Sequence, residues 1–304
     1  MVRVKTDSPP RQERKPLHTV VSLLLLLSLF GCASHAQKDV VFMHGILASA
    51  SEFDYFTDLI KQHRPGTRVY AVNMYEGFSS VLGLWEQVAG IQDKYGPILS
   101  STSSDGVVLI SYSQGGIISR GILQSMKHNI ETYISLSGPL AGQFGDTYYL
   151  RFLFPLFIKD NIYRLFYSDF GQDISVGNYW NDPHHQSLYR NYSTYLGLLN
   201  NETFFVNPQS KEFRQNFLRL KNMVLVGGPD DGVITPWQSS HFGVYDANET
   251  VQPMEKQKWY QNDAFGLKTL NKAGRLHIHT VANITHIHWH RTKMVFDKFI
   301  LPWL

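Results

Sequence analysis

Cysteine is almost absent from the sequence. Its 304 residues include one, Cys32, and that residue falls in an N-terminal segment that we predict is removed from the mature protein. The mature chain is then expected to have no disulfide, no cysteine nucleophile and no thiolate ligand for a metal ion. A chain of this length can bury a core large enough to fold without disulfides.

Charge is also scarce, and it is balanced. Charged residues make up 17% of the chain and hydrophobic residues 43%, which is typical of a globular rather than a disordered or fibrous protein. The net charge of +3 comes entirely from residues 1–36, which hold five basic and two acidic residues. The rest of the chain is formally neutral, so there is no electrostatic argument for nucleic-acid binding, and we expect no nucleic-acid partner.

Long apolar runs are missing as well. The most apolar stretch, residues 20–30, follows a basic pair and precedes small residues. It has about half the length that a bilayer-spanning helix needs, so we expect no transmembrane span. The order of basic, apolar and small residues predicts a signal peptide over residues 1–36, with Ala33 or Ala36 as the last residue removed. An uncleaved anchor, or a bacterial lipoprotein signal based on residues 29–32, are the alternatives.

Asn-x-Ser/Thr sequons are present in the predicted mature chain. The sequons begin at Asn191, Asn201, Asn248 and Asn283. Together with a signal peptide they favour a glycoprotein of the secretory pathway. We predict glycosylation at Asn191, Asn201 and Asn248.

Short β-branched runs alternate with helical patterns. The predicted strands are 40–44, 68–74, 106–112, 132–136, 223–227 and 276–282. The predicted helices are 52–62, 80–94, 114–127 and 291–299. This alternation predicts one α/β domain over residues 37–304, with a mostly parallel sheet and helices on both faces. Residues 139–222 interrupt it with an aromatic-rich, irregular stretch, which we predict to be a cap inserted before the last strands.

The strongest motif is Ser111-Tyr-Ser-Gln-Gly115, which follows a predicted strand and opens a predicted helix. This is the setting of a nucleophile elbow, in which a serine on a strained turn projects from the sheet. Small residues are needed two positions before and after the serine, because the strand and helix backbones nearly touch there. Ser113 is therefore the candidate nucleophile. The alternative is an ordinary glycine-rich turn.

His44-Gly45 ends the first predicted strand. In enzymes with a nucleophile elbow, a loop in this position supplies one of two backbone donors to the oxyanion. The candidate donors are the N–H groups of Ile46 and Gln114, which would stabilise the negative oxygen of a tetrahedral intermediate.

An acid and a base are expected later in the chain, in the order Ser, Asp, His that defines the α/β-hydrolase fold. Asp230 and Asp231 follow a strand, and His286 lies just past the last strand. We predict Asp231 rather than Asp230 as the acid, because Gly232 frees the backbone after it to bend. His286 is the predicted base.

Neighbouring histidines offer an alternative to this arrangement. His286, His288 and His290 would share one face of an extended strand, which would permit a metal site. No carboxylate lies nearby in sequence, so we expect neither a metal nor a cofactor. His277 and His279 are interpreted as strand residues with structural hydrogen bonds.

Residues 148–158 are apolar on nearly every side. They are too short to span a membrane and include Arg151. One interpretation is a buried helix. The other is a wall of a groove for an acyl chain, in which Phe152 or Phe154 would contact the substrate.

Long stretches of the sequence resemble a known family. They include Leu84-Trp-Glu-Gln-Val, Gly142-Gln-Phe-Gly-Asp-Thr, Asn178-Tyr-Trp-Asn-Asp-Pro-His-His and Gly228-Pro-Asp-Asp-Gly-Val-Ile-Thr-Pro-Trp. From about residue 40 onward the chain resembles the lysosomal palmitoyl-protein thioesterases, most closely their second paralogue. The resemblance implies an α/β-hydrolase with Ser113, Asp231 and His286 as its catalytic residues. It also implies a lysosomal glycoprotein whose substrate is an acyl thioester with a long apolar chain.

Three functions remain open from the residues themselves. A thioesterase is favoured, an oxygen-ester lipase or esterase is the second, and a non-catalytic acyl-binding protein is the third. The triad does not separate the first two, because the same groups serve both leaving atoms. Nothing in the sequence sets the oligomeric state.

Overall fold

A computed structural model describes Met1, residues 38–102 and residues 105–304. Within them, the chain folds around a six-stranded sheet. The predicted signal peptide, residues 1–36, lies outside the described residues apart from Met1. No helix among the described residues is long and apolar enough to cross a membrane.

Parallel pairing joins all the strands of the central sheet. The strands are β1 (Asp39–Met43), β2 (Val69–Ala71), β3 (Val107–Tyr112), β4 (Ile130–Leu136) and β5 (Asn222–Gly227), then β6 (Val244–Tyr245), β7 (Val251–Gln252) and β8 (Leu276–Thr280). The central sheet has the order β2-β1-β3-β4-β5-β8, while β6 and β7 form a separate antiparallel pair.

Helices occupy the connections. They are α1 (Asp54–His63), α2 (Leu84–Leu99), α3 (Gln114–Ser125), α4 (Tyr148–Leu153), α5 (Tyr163–Phe166), α6 (Asp169–Gln172), α7 (Ser175–Asn178), α8 (Gln186–Tyr192), α9 (Leu196–Asn200), α10 (Ser210–Phe217), α11 (Lys258–Gln261), α12 (Leu267–Lys272) and α13 (Lys293–Val295). A π-turn, Phe296–Ile300, continues α13.

The sheet is buried on both faces. Successive side chains of a strand point to opposite faces, and those of β1 divide accordingly. Val41 and Met43 pack in one apolar cluster, whereas Val40 and Phe42 pack in another. The continuous apolar runs of the sequence follow from this double burial. The predicted parallel sheet with helices on both faces is confirmed.

Two predicted elements differ most from the structure. Strand β2 has three residues instead of seven and is an edge strand, paired only with β1 in the described chain. The helix predicted over 80–94 is a 3₁₀ turn, Gly77–Val81, followed by α2. Leu82 lies between them with an extended ψ of 155° and so breaks the helix. Helix α2 then runs on to Leu99.

The stretch 139–222, predicted to be irregular, is so only in part. Helices α4 to α10 occupy this fully described stretch, each with four to eight residues. Helices this short cover about one or two turns, too few for a 3.6-residue period to emerge. Packing and side-chain hydrogen bonds hold them: the Gln172 side chain donates to the carbonyls of Phe166 and Gly177, at 2.8 and 3.0 Å.

Residues 148–158 do not form a buried helix, so that interpretation was wrong. Helix α4 covers only the first six of them, and Leu150 is its buried residue. Tyr148, Phe152 and Leu156 have exposed fractions of 74%, 51% and 88%. The helix therefore rests on the protein through one narrow face.

The sequon asparagines all lie at the surface. Asn191, Asn201, Asn248 and Asn283 are exposed. Glycosylation at the first three stays a prediction.

Candidate active site

Ser113 occupies a sharp turn between β3 and α3. Its φ of 54° and ψ of −131° lie in a region that residues with a side chain rarely adopt. The strand ends at Tyr112 and the helix begins at Gln114. This is the strained strand-to-helix turn predicted for a nucleophile elbow.

Two glycines make room for this turn. A Cβ on Gly115 would strike the carbonyl oxygens of Met43 and His44, and a Cβ on Gly45 would lie 2.9 Å from the Cβ of Ser113. Glycine is therefore required at both positions by close packing of the elbow against the loop after β1.

Ser113, His286 and Asp231 form a continuous hydrogen-bonded chain. Ser113 Oγ lies 2.9 Å from His286 Nε2, and His286 Nδ1 lies 2.8 Å from Asp231 Oδ2. The exposed fractions are 6%, 3% and 2%. The structure therefore brings together the three predicted residues, although Ser113 and His286 are 173 positions apart in the chain.

The Asp231 carboxylate accepts hydrogen bonds at both oxygens. On Oδ2 the donors are His286 Nδ1 at 2.8 Å, Ser137 Oγ at 2.6 Å and Trp289 Nε1 at 2.7 Å, and on Oδ1 they are the amides of Val233 at 3.0 Å and Ile234 at 2.7 Å. Burial raises the pKa of this carboxyl, but the bonds from His286, Ser137 and Ile234 outweigh it and lower the pKa overall. Asp231 is therefore held in its ionised form.

An ionised Asp231 sets the tautomer of His286. A carboxylate only accepts hydrogen bonds, so the proton of a neutral His286 lies on Nδ1. Nε2 is then left with a lone pair that accepts the hydrogen bond of Ser113. This is the arrangement in which an imidazole can act as a general base toward a serine.

Asp230 lies apart from this chain. Its Oδ2 accepts the backbone N–H of Asn283 at 2.7 Å, and its side chain is exposed. Adjacent carboxylates thus point in different directions, one to His286 and one to the loop after β8.

The two residues predicted to supply oxyanion donors line the same cleft as Ser113. Ile46 and Gln114 both line it. Gln114 begins α3, and the first N–H groups of a helix have no partner within the helix. Within the described residues, the Ile46 amide has no hydrogen-bond acceptor either. Both groups are therefore free to donate to a negatively charged oxygen.

The cleft beyond Ser113 is lined mainly by apolar surface. Leu150, Val176, Trp180 and Ile234 are among its lining residues. Tyr149 and Leu150 of the stretch 148–158 line it, whereas Phe152 and Phe154 do not, so the predicted contact of these two phenylalanines with an acyl chain finds no support in the lining of the cleft. Phe152 is half-exposed, and Phe154 packs against Phe166 with ring centroids 5.1 Å apart.

His286, His288 and His290 do not lie on a strand. His286–His288 form a 3₁₀ turn, so the extended geometry behind the metal alternative was wrong. In the described residues, no group of three or more His, Cys, Asp or Glu side chains is placed to hold a metal ion. His290 instead lies 3.0 Å from Glu52. His277 on β8 contacts Asn222 at 3.3 Å, a structural contact of the kind predicted.

Ser137 and Trp289 were missed by the sequence analysis. Both donate to Asp231. Ser137 follows β4, and the carboxyl ends of parallel strands converge at one edge of the sheet, which is a signal that could have identified it. Trp289 follows His286 by three residues on a tight turn, which brings both side chains to the same carboxylate.

The parallel sheet and the serine on its strained turn define the protein as an α/β-hydrolase. Residues 39–286 match the family model described as palmitoyl protein thioesterase. The chain belongs to this family of thioester hydrolases, and the resemblance noted in the sequence is confirmed.

Curated relatives agree along nearly the whole chain. Lysosomal thioesterase PPT2 of Bos taurus is 47% identical over 88% of this chain and 88% of its own length. The Homo sapiens protein of that name is 45% identical, with 96% and 98% covered. The Lysosomal thioesterase PPT2 homolog of Drosophila melanogaster is 40% identical, with 96% and 99% covered.

Similar solved structures are more distant. A monoacylglycerol lipase of Paleococcus ferrophilus is 13% identical with a TM-score of 0.45, covering 88% of this chain and 95% of that one. The carboxylesterase CesB of Bacillus subtilis is 12% identical with a TM-score of 0.45, covering 86% and 81%. At this similarity they add no evidence on activity.

Proposed function

We propose that this protein hydrolyses long-chain fatty-acyl thioesters through an acyl-enzyme on Ser113. The observation that carries the proposal is the hydrogen-bonded chain from Ser113 through His286 to Asp231, at the edge of an apolar cleft. Membership of a thioesterase family supports the sulfur leaving group. Palmitoyl-CoA and S-acylated peptides are the substrates proposed.

The first half of the reaction forms the acyl-enzyme. Ser113 Oγ attacks the carbonyl carbon while its proton passes to His286 Nε2. The carbonyl oxygen becomes negative and accepts hydrogen bonds from the amides of Ile46 and Gln114. The carbon–sulfur bond then breaks, and the departing sulfur takes the proton from His286.

The second half releases the fatty acid. Water attacks the ester carbon as His286 accepts one of its protons, and the same amides stabilise the second tetrahedral intermediate. The bond to Ser113 Oγ breaks, and His286 returns the proton to it. Asp231 stays ionised throughout and stabilises the imidazolium formed in each half.

An oxygen-ester hydrolase is the competing function. The same triad would attack an ester, but an alkoxide leaves less easily than a thiolate. Comparing kcat/KM for palmitoyl-CoA with that for an oxygen ester of palmitate tests the proposal. A clear preference for the thioester supports it, and a preference for the oxygen ester would replace it.

The cellular setting follows from the relatives' names and the sequon positions. We propose that the protein acts in the lysosome, carries N-linked glycans at its exposed sequons and uses α4 to α10 as a cap over the cleft.

Replacing Leu150 with asparagine is expected to lower kcat/KM for palmitoyl-CoA by about tenfold, but to change that for a short-chain thioester much less. Each buried methylene contributes about 0.8 kcal/mol, so the loss of two such contacts has this effect. Phe152→Asn is the matched control on the same helix, because Phe152 is outside the cleft. Equal losses at every chain length would show that Leu150 does not contact the acyl chain.

Acidification is expected to lower kcat/KM, because His286 accepts the serine proton only while its Nε2 is unprotonated. Asp231 does not cause this fall. Burial raises the pKa of Asp231, but the hydrogen bonds that its carboxylate accepts lower the pKa overall. Because the pKa is lowered, Asp231 stays charged and keeps its stabilising effect until the pH falls through that lower value. Rates measured from about pH 4 to about pH 8 on protein shown to be folded test this, and a flat profile would exclude a histidine base.

A further inference from the structure

His44 is a buried histidine with no part in the proton transfers above. It follows β1 and has an exposed fraction of 5%. Its Nδ1 lies 2.9 Å from the Gly45 carbonyl oxygen, and its Nε2 lies 3.0 Å from the Met74 carbonyl oxygen. Carbonyl oxygens only accept, and a neutral imidazole carries a single N–H, so a neutral His44 donates to one of these two oxygens and contacts the other without a hydrogen bond. The ring lies between its own loop and the loop after β2.

The bond to Gly45 acts on the peptide unit that carries the Ile46 amide. The Gly45 C=O and the Ile46 N–H belong to one planar group, and in a trans peptide they point in opposite directions. The Gly45–Ile46 peptide bond is not among the cis peptide bonds found in the described residues. Holding the Gly45 oxygen therefore also fixes the direction of the Ile46 N–H.

The loop needs such restraint because its backbone is unusual. Leu47 has a φ of 57°, which is uncommon for a residue with a branched side chain. Its amide donates to Ser80 Oγ at 2.7 Å. His44 thus contacts the peptide unit before Ile46, and Ser80 contacts the one after it. Ile46 itself lines the cleft beside Ser113.

We infer that His44 is a positioning residue, which aims the Ile46 amide at the oxyanion through the Nδ1 bond to the Gly45 carbonyl. The inference rests on the proposed function, since an oxyanion forms only if Ser113 attacks a carbonyl. It assigns the single N–H of the neutral ring to Nδ1, where it serves catalysis, and leaves the Nε2 contact with Met74 as packing between two loops.

Two conservative substitutions distinguish these contacts. The amide nitrogen of asparagine takes the place of Nδ1, and that of glutamine takes the place of Nε2. We expect His44→Asn to keep kcat for palmitoyl-CoA within about threefold of the original protein, with KM unchanged. We expect His44→Gln to lower kcat at least about tenfold without raising KM, a smaller loss than the roughly 10²–10³ caused by deleting an oxyanion donor.

A transition-state analogue gives a second measurement. A long-chain trifluoromethyl ketone forms a tetrahedral adduct with a reactive serine and places a negative oxygen where the oxyanion develops. Its affinity should fall with kcat in His44→Gln and be kept in His44→Asn, while the affinity for palmitate should be the same in both. Thermal unfolding of both variants measures any loss of stability.

The outcomes separate this inference from the proposed function. If His44→Gln retains as much kcat as His44→Asn, or if both lose only stability, His44 merely joins the loops and the inference is overturned. If the Ser113→Ala variant still hydrolyses the thioester as the original protein does, the proposed function fails instead.

Discussion

Replacing Ser113 with alanine is expected to lower kcat for palmitoyl-CoA by roughly 10⁴–10⁶-fold, the range that loss of a serine nucleophile produces. The loss follows from the geometry, since Ser113 Oγ is the atom 2.9 Å from His286 Nε2. The fold should be unaffected, because alanine tolerates the turn no worse than serine does. Steady-state kinetics and thermal unfolding of the same preparation provide the measurement.

Ser119→Ala is the matched control, because Ser119 is fully buried on α3, the helix that begins directly after Ser113. It should keep nearly full activity. A fluorophosphonate should label the original protein and the Ser119→Ala variant but not Ser113→Ala. Retention of more than about a tenth of the activity by a folded Ser113→Ala protein would exclude Ser113 as the nucleophile.

Changing Asp231 to asparagine is expected to lower kcat at least roughly a hundredfold; the same change in the catalytic triad of trypsin lowers kcat by about 10⁴. Both carboxylate oxygens of Asp231 face donors. An asparagine amide nitrogen would therefore meet N–H or O–H groups in either orientation. If it faces His286, it favours the wrong imidazole tautomer.

Stability should fall with activity in this variant. A buried donor left without an acceptor costs about 1–3 kcal/mol, so the free energy of unfolding should decrease by that amount or more. Asp230→Asn is the control: asparagine can still accept the Asn283 amide, and the loss of kcat should stay below about tenfold. The reverse ranking of the two variants would assign the acid to Asp230.

The parts of the site that sequence could predict are those set by the local chain. The elbow could be predicted because its steric needs fall on Ser111 and Gly115, close to Ser113 in the chain. Asp231 could be distinguished from Asp230 because Gly232, with its φ of 77°, allows the backbone to turn there. The sheet could be predicted because strands buried on both faces are apolar at every position.

Other features depend on contacts that no local pattern records. Helices α5, α6 and α7 have four residues each, and their stability comes from tertiary packing rather than from a helical period. The exposure of the apolar stretch from Tyr148 also depends on tertiary packing. Its composition shows that the segment could be buried, but not whether another part of the protein lies in place to cover it. Two of the donors to Asp231, Ser137 and Trp289, are 94 and 58 residues away in the chain.

The central claim is that Ser113 carries the acyl group between the two halves of the reaction. Its most direct test is mass spectrometry of protein mixed with palmitoyl-CoA and quenched in acid within the first turnover. We expect one palmitoyl group on the peptide that contains Ser113, appearing as CoA is released. Release of CoA while Ser113 stays unmodified, or a palmitoyl group on another residue, would contradict the claim.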